Sequence, residues 1–425
     1  MPECIRRKRT SGLNSLKQLA DHLDEFEPIA FEKISVPGGL WVYNDGDKDN
    51  HGLPVHSSIY ANLKTNTPRE LMAFPNYPQF HGPHSITTHE GVLNYLRNFT
   101  QHFDLLKYIT FDTLVEHVSP ILDRSNDEEK TKWTVTTKNL NTNEISKTIC
   151  DSVIVATGKN SKPYIPEINN IGSFKGEVSH VHTYRKPEKY AGKTVVLLGA
   201  GPSGIDIAID LSAHAKKIYL SHRHAVIESL FPANIEQVPG VIAVDENYVV
   251  LSNGTKLVAD VFFFATGYAF DYSFLDSSCG LTIQPKRVFP LYKQLINAKH
   301  PTMAIVGVAS VISPFLFPYF QAKYYVAYLR GIVKLPSKAE RIEEANILPP
   351  GAKRGHYHDI DNNQWSYIRE SATQAGFEPL PDYYEKAYKK WEEYRLAHLS
   401  TFRNTDFSFN RNGAFNFQYL NSQIA

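Results

Sequence analysis

The chain has 425 residues, of which 42% are hydrophobic, 12% aromatic and 21% charged, and this composition excludes fibrous and disordered proteins. At about 150 residues per domain, its length predicts two to three domains. The 45 Lys and Arg residues nearly balance the 44 Asp and Glu residues, which leaves a net charge of +1. We therefore expect no nucleic-acid partner and no attraction to an anionic membrane.

The three cysteines, Cys4, Cys150 and Cys279, are widely spaced, which argues against a disulfide framework, a zinc site and a dithiol redox centre and favours a reducing compartment. No apolar stretch follows the basic run 6–9, so no signal peptide is expected. Residues 301–322 carry no charge and are long enough to cross a membrane, where about 20 residues are needed. Two prolines interrupt this run and its first part is typical of a buried strand, so no stable membrane insertion is expected.

The first predicted elements are a helix, because apolar residues recur at helical spacing over residues 13–23, and a short buried strand that ends at Glu32. These elements form the second half of a βαβ unit. In such a unit the position of Glu32 is the one that binds the ribose hydroxyls of an ADP group.

The glycine loop that would precede this helix is incomplete in the sequence. Aligning Ser11-Gly12 with the second glycine loop, described below, puts Arg7 and Arg9 where the first two glycines would stand. Only residues 2–6 are left for the preceding strand, so we expect the first strand to be missing as well. An arginine side chain would stand where a pyrophosphate approaches the backbone, although its charge could partly compensate.

The middle and the end of the chain alternate between strand and helix patterns. In chain order they predict a β-meander over 114–158 with a strand at 152–156, a proline-marked linker at 163–166, a strand at 193–198, a strand at 261–264, a buried strand at 303–308 and a mostly helical tail that includes 382–399.

The clearest motif, Gly199-Ala-Gly201-Pro-Ser-Gly204, follows an apolar strand directly and precedes a helical pattern. The first glycine permits a tight turn, the second lets the backbone approach a pyrophosphate, and the third lets helix and strand pack closely. The phosphates would lie at the helix N-terminus. The residues predicted to bind a nicotinamide dinucleotide here are Gly199, Gly201, Ser203, Gly204, Ile205 and Asp206.

The next strand ends at Ser221-His222-Arg223, where a site for NAD would carry Asp or Glu. Ser221 and Arg223 suit the 2′-phosphate of NADPH instead. The alternative is an arginine that faces solvent at the end of a strand.

Residues 153–158 and 262–268 are two further strands that stop at a small-residue turn, Ala-Thr-Gly in both cases. Such a turn lets the chain pass close to a bound nucleotide. Because the two turns close two βαβ-type regions, they favour a flavoprotein with two dinucleotide sites. Paired histidines such as His180 and His182 lack a third ligand at a recognised spacing, so no metal is predicted.

At this point the chain resembles the flavin-containing monooxygenases. The spacing of Phe174, Gly176, His180 and Tyr184 fits the identifying sequence of that family, with Tyr184 where Baeyer–Villiger relatives usually carry tryptophan. Three further stretches are similar to those of the family. The family's second signature resembles Ala265, Thr266, Gly267 and Tyr268. Its flavin-binding stretch resembles residues 32–41 with Gly39, Leu40 and Trp41, and its active-site stretch resembles residues 60–68 with Thr65, Asn66 and Thr67.

The resemblance implies an α/β fold with two dinucleotide-binding, Rossmann-like domains, the NADPH domain being inserted into the FAD domain. The implied boundaries are 1–163 for the first part of the FAD domain, 164–285 for the NADPH domain, and 286–425 for the second part with a helical C-terminal tail. The implied type is the short insect or fungal one, without a C-terminal membrane anchor.

The cofactors implied by the resemblance are FAD and NADPH. NADPH would reduce the flavin, and O₂ would add to the flavin as a C4a-hydroperoxide that oxygenates a soft nitrogen or sulfur of a small nucleophilic xenobiotic or metabolite. Asn66 would be the catalytic residue, and a turn-forming asparagine is the alternative. The FAD-binding residues would be Gly12, Glu32, Gly39, Leu40, Trp41, Thr65, Asn66, Thr67 and Gln321, and Thr65 and Asn66 would also contact NADP.

Two other functions stay open at this stage. One is a Baeyer–Villiger or N-hydroxylating monooxygenase. The other is a pseudoenzyme that binds NADPH without flavin, because Arg7 and Arg9 depart from the family pattern and indicate either an alternative first exon or weakened FAD binding. A cytoplasmic location is expected, with peripheral attachment to the endoplasmic reticulum as the alternative, and a homodimer is left open.

Overall fold

The computed structural model describes residues 2–7, 10–122, 128–311, 313–353, 356–360, 363–410 and 414–420, except for the side chains of residues 2–10. Its strands are, in chain order, β1 Pro2–Arg7, β2 Glu27–Glu32, β3 Ile109–Thr110, β4 Thr113–Ile121, β5 Lys132–Asn139, β6 Ile145–Cys150, β7 Ser152–Ala156, β8 Lys162–Pro163, β9 Glu177–His180, β10 Thr194–Leu198, β11 Lys217–Ser221, β12 Ile235–Val238, β13 Val241–Asp245, β14 Tyr248–Leu251, β15 Lys256–Val258, β16 Val261–Phe264, β17 Tyr268–Ala269, β18 Thr282–Gln284, β19 Arg287–Phe289, β20 Leu291–Tyr292, β21 Ile296–Asn297, β22 Met303–Ile305, β23 Thr405–Phe409 and β24 Phe415–Tyr419. Its α-helices are α1 Thr10–Ala20, α2 Arg69–Met72, α3 His89–His102, α4 Pro202–Leu211, α5 Leu316–Leu329, α6 Lys338–Asn346, α7 Gln364–Ala375 and α8 Asp382–Ala397.

The first sheet contains strands from both ends of the chain, in the order β20-β21-β22-β7-β1-β2-β3. β7 and β22 are buried along their whole length, as expected for strands covered on both faces. On one face the core contains Leu13 and Leu16 of α1 together with Phe320 of α5. On the other face, Trp133 and Val135 of the meander β4-β5-β6 pack against the sheet.

β1 lies in the middle of this sheet, parallel to β2 on one side and to β7 on the other. The expectation of a missing first strand is therefore wrong, because six residues suffice to pair along both neighbours. Arg7 ends β1 and pairs in register with Glu32. Arg9 and the side chain of Arg7 lie outside the described residues.

The second sheet is entirely parallel, in the order β12-β11-β10-β16-β9. All four residues of β16 are buried, which explains its uninterrupted Val-Phe-Phe-Phe sequence. One face of this sheet is covered by α4 through Ile207 and Leu211. The other is covered by the small antiparallel sheet β13-β14-β15 through Val244 and Val249.

The chain passes between the two sheets along a short antiparallel pair, in which Tyr268 of β17 lies opposite Pro163 of β8. Helices pack on both sheets. The turns that follow the parallel strands β7, β16 and β22 contribute Gly158, Gly267 and Gly307 to one shared cavity. The α/β fold class with two dinucleotide-binding units is thus confirmed.

The C-terminal tail contains α7 and α8, but it continues into the antiparallel hairpin β23-β24. The prediction of a mostly helical tail is wrong for this part. Alternating aromatic residues of the hairpin, such as Phe407 and Phe417, pack around Trp391 of α8, with ring centroids 5.5 Å and 6.3 Å away.

The uncharged run 301–322 contains β22 and the beginning of α5. Across the described ranges, the structure has no helix with both the length and the apolar composition needed to cross a bilayer.

Cys150, at the end of β6, is disulfide-bonded, so the sequence argument against disulfides fails at this residue. Cys279 is a free, buried thiol.

Candidate active site

A cavity of 930 Å³ lies between the two sheets, which is within the usual range of about 300–1,000 Å³ for small-molecule sites. Turns that follow strands or precede helices of both sheets line it, including Gly158, Pro202 and Gly307. Its apolar walls are formed by Leu40, Trp41, Ile59, Leu63, Met72, Phe315 and Phe317. Ligands of open α/β sheets bind in such a crevice at the carboxyl ends of the strands.

The three glycines of the second loop have three different surroundings. Gly199 has φ +117° and a Cβ there would lie 2.5 Å from the Ala265 carbonyl oxygen, while a Cβ on Gly204 would lie 2.0 Å from the carbonyl oxygen of Gly199. A Cβ on Gly201 would meet no heavy atom within 4 Å. Gly199 and Gly204 therefore serve packing, and Gly201 leaves open space in front of the backbone.

Helix α4 begins directly after this loop, with Gly201 as its N-cap residue and no side-chain cap. The first-turn amides of α4 are therefore left for a ligand, and the positive end of the helix favours an anion there. Ser203 and Asp206 of α4 line the cavity. Ile205 is half-buried and its amide bonds to the Gly201 carbonyl oxygen at 3.0 Å.

Ser221 and Arg223, predicted together at the end of β11, face different environments. Ser221 has no solvent exposure, and its hydroxyl donates to the Pro239 carbonyl oxygen at 2.8 Å, so its side chain does not point to the ligand side. Arg223 is exposed, and its stem packs against Gly240. Of the two residues, only Arg223 has a side chain that a phosphate could reach.

Thr65, Asn66 and Thr67 all line the cavity. The Thr65 amide donates to the Thr87 carbonyl oxygen at 2.9 Å, and the Thr65 hydroxyl accepts from the Thr87 amide at 3.2 Å. Asn66 Oδ1 lies 2.6 Å from Nη2 of Arg403, and the Asn66 carbonyl oxygen accepts from Nε1 of Trp391 at 2.9 Å. The Asn66 side chain is thus held at the cavity wall.

Asp206 connects α4 to the segment that carries Asn66. Its Oδ1 pairs with Nη2 of Arg403 at 2.5 Å, and its Oδ2 accepts a hydrogen bond from the Tyr60 hydroxyl. Burial raises the pKa of the Asp206 carboxyl and Arg403 opposes this shift; burial and the Asp206 carboxylate raise the pKa of Tyr60. Because both carboxylate oxygens contact protein groups, Asp206 anchors α4.

Gly39, Leu40 and Trp41 form a short 3₁₀ turn. His56 bonds to the Gly39 carbonyl oxygen at 3.0 Å, and the Ser57 hydroxyl donates to the Leu40 carbonyl oxygen at 2.6 Å. Leu40 and Trp41 line the cavity, whereas Gly39 is buried behind them. The turn therefore presents two apolar side chains to the cavity from a fixed backbone.

The predicted ADP-binding residues lie at the carboxyl end of the first sheet. Glu32 is only 2% exposed and accepts a hydrogen bond from the Ile34 amide at 3.3 Å. Gly12 is buried in the first turn of α1, and the adjacent Ser11 lines the cavity. β1, α1 and β2 thus supply the strands and the helix expected for the first dinucleotide site.

Gln321 does not itself line the cavity. It is fully buried in α5, where its Oε1 accepts from the Gly307 amide at 3.0 Å and its Nε2 donates to the Gln294 carbonyl oxygen at 3.2 Å. Since Gly307 lines the cavity, Gln321 supports the wall from behind.

The signature around residues 174–184 acts as a scaffold between the second sheet and its surroundings. Phe174 packs edge-on against Phe262 with ring centroids 6.4 Å apart. A Cβ on Gly176 would lie 2.3 Å from the Asp260 carbonyl oxygen, so only glycine lets the chain pass here. The Tyr184 hydroxyl, at the other end, donates to Oδ2 of Asp210 on α4 at 2.6 Å.

His180 joins this signature to the second small-residue turn. Its Nδ1 accepts from the His182 amide and its Nε2 contacts the Gly267 carbonyl oxygen, both at 3.0 Å. Because Nδ1 is an acceptor, the proton is on Nε2 and the imidazole is neutral. Burial lowers the pKa of His180 to about 4. The backbone therefore occupies both ring nitrogens of His180.

The residues of the second turn hold the junction between the sheets. The Ala265 amide bonds to the Leu198 carbonyl oxygen at 2.9 Å, and the Thr266 hydroxyl donates to the Tyr164 carbonyl oxygen at 2.5 Å. Gly267 and Tyr268 reach the cavity wall. The corresponding Gly158 of the first turn lines the same cavity.

Sequence reasoning missed Arg403 and Trp391, which hold Asn66 from the C-terminal part of the chain. Neither residue belongs to a recognisable motif, and 337 positions separate Arg403 from Asn66. The aromatic composition of the tail indicates packing, but it does not single out these two residues.

The structure is similar to that of S-allyl-L-cysteine S-oxygenase from Allium sativum, with a TM-score of 0.85 and 27% sequence identity over 95% of this chain and 94% of that one. Among curated proteins, senecionine N-oxygenase of Tyria jacobaeae is 30% identical over 95% of this chain and 89% of its own length. Flavin-containing monooxygenase FMO GS-OX3 of Arabidopsis thaliana is 32% identical over 82% of this chain and 79% of its own length.

The sequence model of the family described as flavin-binding monooxygenase-like matches residues 7–234 and 227–376. These matches span most of the chain, including both glycine-loop helices, Asn66 and the 174–184 signature. The family implies the use of a flavin, of O₂ and of a small-molecule substrate. The chain belongs to the flavin-containing monooxygenase family of enzymes.

Proposed function

We propose that this enzyme uses NADPH and FAD to transfer one oxygen atom of O₂ to a soft nitrogen or sulfur atom of a small molecule. The observation that carries the proposal is one continuous cavity, which extends from the first turn of α4 past Asn66 to the carboxyl end of the first sheet. One dinucleotide bound at α4 and another bound at the carboxyl end of the first sheet would meet beside Asn66. The relatives named for N-oxygenation and S-oxygenation support the choice of acceptor atom.

The residues of the second loop fit NADPH. The open space in front of Gly201 and the uncapped amides of α4 suit a pyrophosphate. Arg223, exposed at the end of β11, suits the 2′-phosphate because a guanidinium binds phosphate oxygens through several donors. Ser221 would support the strand end from inside the domain.

The residues of the first site fit FAD. Glu32 stands where a carboxylate accepts from ribose hydroxyls, and Leu40 and Trp41 offer an apolar surface to a ring system. Asn14 in α1 and the Thr157 hydroxyl after β7 are buried without a hydrogen-bond partner within the described part of the chain. Such orphaned groups are rare and would be satisfied by a ligand or by water. When bound, the flavin supplies the electron transfer and the activation of O₂.

Asn66 is the residue we assign to the reacting atoms. Its carboxamide is neutral, so it can donate a hydrogen bond without releasing a proton. The apolar walls around it, with Phe315 and Trp41 at 5.9 Å between ring centroids, exclude water from the same space. Together these groups would hold the reacting atoms in a dry environment.

The proposal extends to the division of the chain. The strands of the second sheet all lie between Glu177 and Phe264, and β8 and β17 pair where the chain enters and leaves it. These features support an NADPH domain at 164–285, inserted between FAD-domain parts at 1–163 and 286–425.

The test is a purification followed by an absorption spectrum and a product assay. We expect the visible bands of oxidised flavin, and substrate-dependent NADPH oxidation with a tertiary amine or a thioether that yields the N-oxide or sulfoxide. Flavin-loaded protein that forms neither product would refute the proposal. A lactone from a cyclic ketone, or a hydroxylamine from a primary amine, would favour the Baeyer–Villiger or N-hydroxylating alternative. A spectrum without flavin bands, even after added FAD, would favour the pseudoenzyme.

A further inference from the structure

Arg403 lies in the 3₁₀ turn Phe402–Asn404 that follows α8, far in sequence from every glycine loop. Its side chain is 17% exposed. Its Nη2 lies 2.6 Å from Oδ1 of Asn66 and 2.5 Å from Oδ1 of Asp206. One nitrogen with two protons thus contacts both the cavity wall and α4.

This contact fixes which way the Asn66 carboxamide points. A guanidinium has only donors, so the group facing it must be the carbonyl oxygen Oδ1 and not the amide nitrogen. The usual ambiguity between the two ends of an asparagine amide is thereby removed. Within the described residues Nδ2 of Asn66 makes no hydrogen bond, and Asn66 lines the cavity. Nδ2 is therefore the hydrogen-bond donor of the Asn66 side chain that is left for a ligand.

Arg403 is itself held in place. Asp206, only 12% exposed, pairs with it, and the Tyr60 hydroxyl donates to the other oxygen of the same carboxylate. Trp391, earlier in the same C-terminal segment, donates to the main-chain oxygen of Asn66 at 2.9 Å. The segment thus fixes both the backbone and the side chain of Asn66.

We propose that Arg403 is a positioning residue that orients the Asn66 amide, with Nδ2 towards the reacting atoms, and that Asp206 ties this orientation to α4. The inference rests on the proposed function because it takes Asn66 as the catalytic residue. In the coupled reaction NADPH, a proton, O₂ and substrate give NADP⁺, water and the oxygenated product. In the uncoupled reaction NADPH, a proton and O₂ give NADP⁺ and H₂O₂. A rotated amide would shift turnover from the first reaction to the second.

The test measures sulfoxide formed per NADPH consumed by the flavin-loaded enzyme, with methyl phenyl sulfide as the probe, in Arg403→Gln, Asn66→Ala and the double variant. We expect Arg403→Gln to lower this ratio roughly tenfold, since misplacing a positioned group by about 1 Å can cost up to a hundredfold. The double variant should be no worse than Asn66→Ala alone, because Arg403 acts through Asn66. Losses that multiply in the double variant would overturn the inference and assign Arg403 a general structural role.

Arg395→Gln is the matched control, because Arg395 lies in the same segment and pairs only with Glu392 at 2.5 Å among the contacts described. It should keep the ratio of the unmodified enzyme. Arg403→Ala adds a second measurement: millimolar guanidinium ion should restore part of the lost ratio, which a merely structural defect would not allow. If Arg403→Gln does not fold, Arg403→Lys takes its place with the same expected loss, because lysine keeps the charge but lacks the planar guanidinium that reaches both Asn66 and Asp206.

A crystal structure of Arg403→Gln provides a readout independent of activity. We expect the Asn66 amide to rotate away from its present orientation, and an unchanged orientation would overturn the inference. An Asn66→Ala enzyme with an undiminished ratio would remove Asn66 from catalysis and the positioning role with it. A diminished ratio in Asn66→Ala but not in Arg403→Gln would overturn the positioning role alone.

Discussion

The neutral state of His180 predicts a specific pH dependence of stability. Burial lowers the pKa of this imidazole to about 4 from an ordinary 6.5. Between these values the unfolded chain binds a proton that the native protein does not, so native stability rises with pH across this window. The contribution of His180 is complete above about pH 6.5 and is lost as the pH falls towards 4.

The magnitude follows from the size of the shift. Each pKa unit corresponds to about 1.4 kcal/mol, so a fall from pH 7 to pH 4.5 removes about 2.5 kcal/mol through this one residue. His180→Gln keeps an amide donor for the Gly267 carbonyl oxygen but cannot be protonated. We expect the variant to be less stable at pH 7 and to lose about 2.5 kcal/mol less than the unmodified protein on acidification.

The assay is denaturant unfolding at half-unit steps from pH 7 to pH 4.5. His224→Gln, at an exposed position, controls for the removal of a histidine. A second readout is the ring signal of His180 in NMR spectra of histidine-labelled protein, which should not titrate between pH 7.5 and 5. Parallel stability curves for His180→Gln and the unmodified protein would refute the reasoning, since they would mean that His180 takes up its proton equally in both states.

Three further predictions concern the NADPH site and its scaffold. Gly199→Ala should lower the free energy of unfolding by about 2 kcal/mol, a typical cost of a strained backbone position, because of the positive φ and the 2.5 Å contact. Gly201→Ala should leave thermal unfolding unchanged and weaken NADP⁺ binding roughly tenfold in a titration. If the two variants had equal effects on unfolding and on binding, the roles assigned to the two glycines would be contradicted. Arg223→Gln should raise KM for NADPH about tenfold, the value of a lost charge-assisted bond, without changing KM for NADH. Arg223→Lys should retain part of the preference for NADPH over NADH. Equal changes of KM for both coenzymes would exclude a contact with the 2′-phosphate. Tyr184→Phe should lower the free energy of unfolding by about 1 kcal/mol through loss of the 2.6 Å bond to Asp210, more than Tyr190→Phe, whose bond to Glu177 is 3.4 Å long.

The second dinucleotide unit could be predicted from the sequence because its determinants are local. Gly204 is required because the Gly199 carbonyl oxygen, five residues earlier, leaves no room for a Cβ. Gly199 is required because the Ala265 carbonyl oxygen, directly after the neighbouring strand β16, leaves no room there. The apolar run of β16 reflects burial on both faces. Arg223 is exposed, since it lies beyond the end of its strand.

The orientation of Ser221 could not be predicted in this way. Its partner, the Pro239 carbonyl oxygen, lies 18 positions along the chain and is brought there by β12. Periodicity indicates which residues share a strand face, but at the last residue of a strand it does not tell which side the chain turns to. The result is a serine at the expected position with its hydroxyl committed to the protein.

The C-terminal hairpin was missed although the sequence carries a signal for it. Residues 406–409 and 415–419 alternate aromatic and polar side chains, which is the period of a strand. The helical pattern of α8 ends before this segment, so the alternation at period two, and not the neighbouring helix, indicates the local structure of residues 405–419.

The family signature and Asn66, which we propose contacts the reacting atoms, differ in how clearly the sequence shows them. Gly176, His180 and Tyr184 each lie against a backbone or side-chain group at a fixed position, namely the Asp260 carbonyl oxygen, the Gly267 carbonyl oxygen and Asp210, respectively. These partners require a specific residue type at a fixed spacing, so the contacts appear as a motif. The signature therefore reports how the second sheet and α4 are held, not how oxygen is transferred.

Asn66, by contrast, depends on partners that no spacing can encode. Its orientation is set by Arg403 and its backbone by Trp391, both contributed by the last part of the chain. Because these partners lie more than 300 positions away from Asn66, the residue that we propose contacts the reacting atoms carries a weaker sequence signal than the scaffold behind it. For an enzyme whose cofactor performs the electron transfer, the protein's contribution is the placement of a neutral donor. In this chain, we propose that this placement depends on a single arginine nitrogen, Nη2 of Arg403, which contacts both Asn66 at the cavity wall and Asp206 of α4.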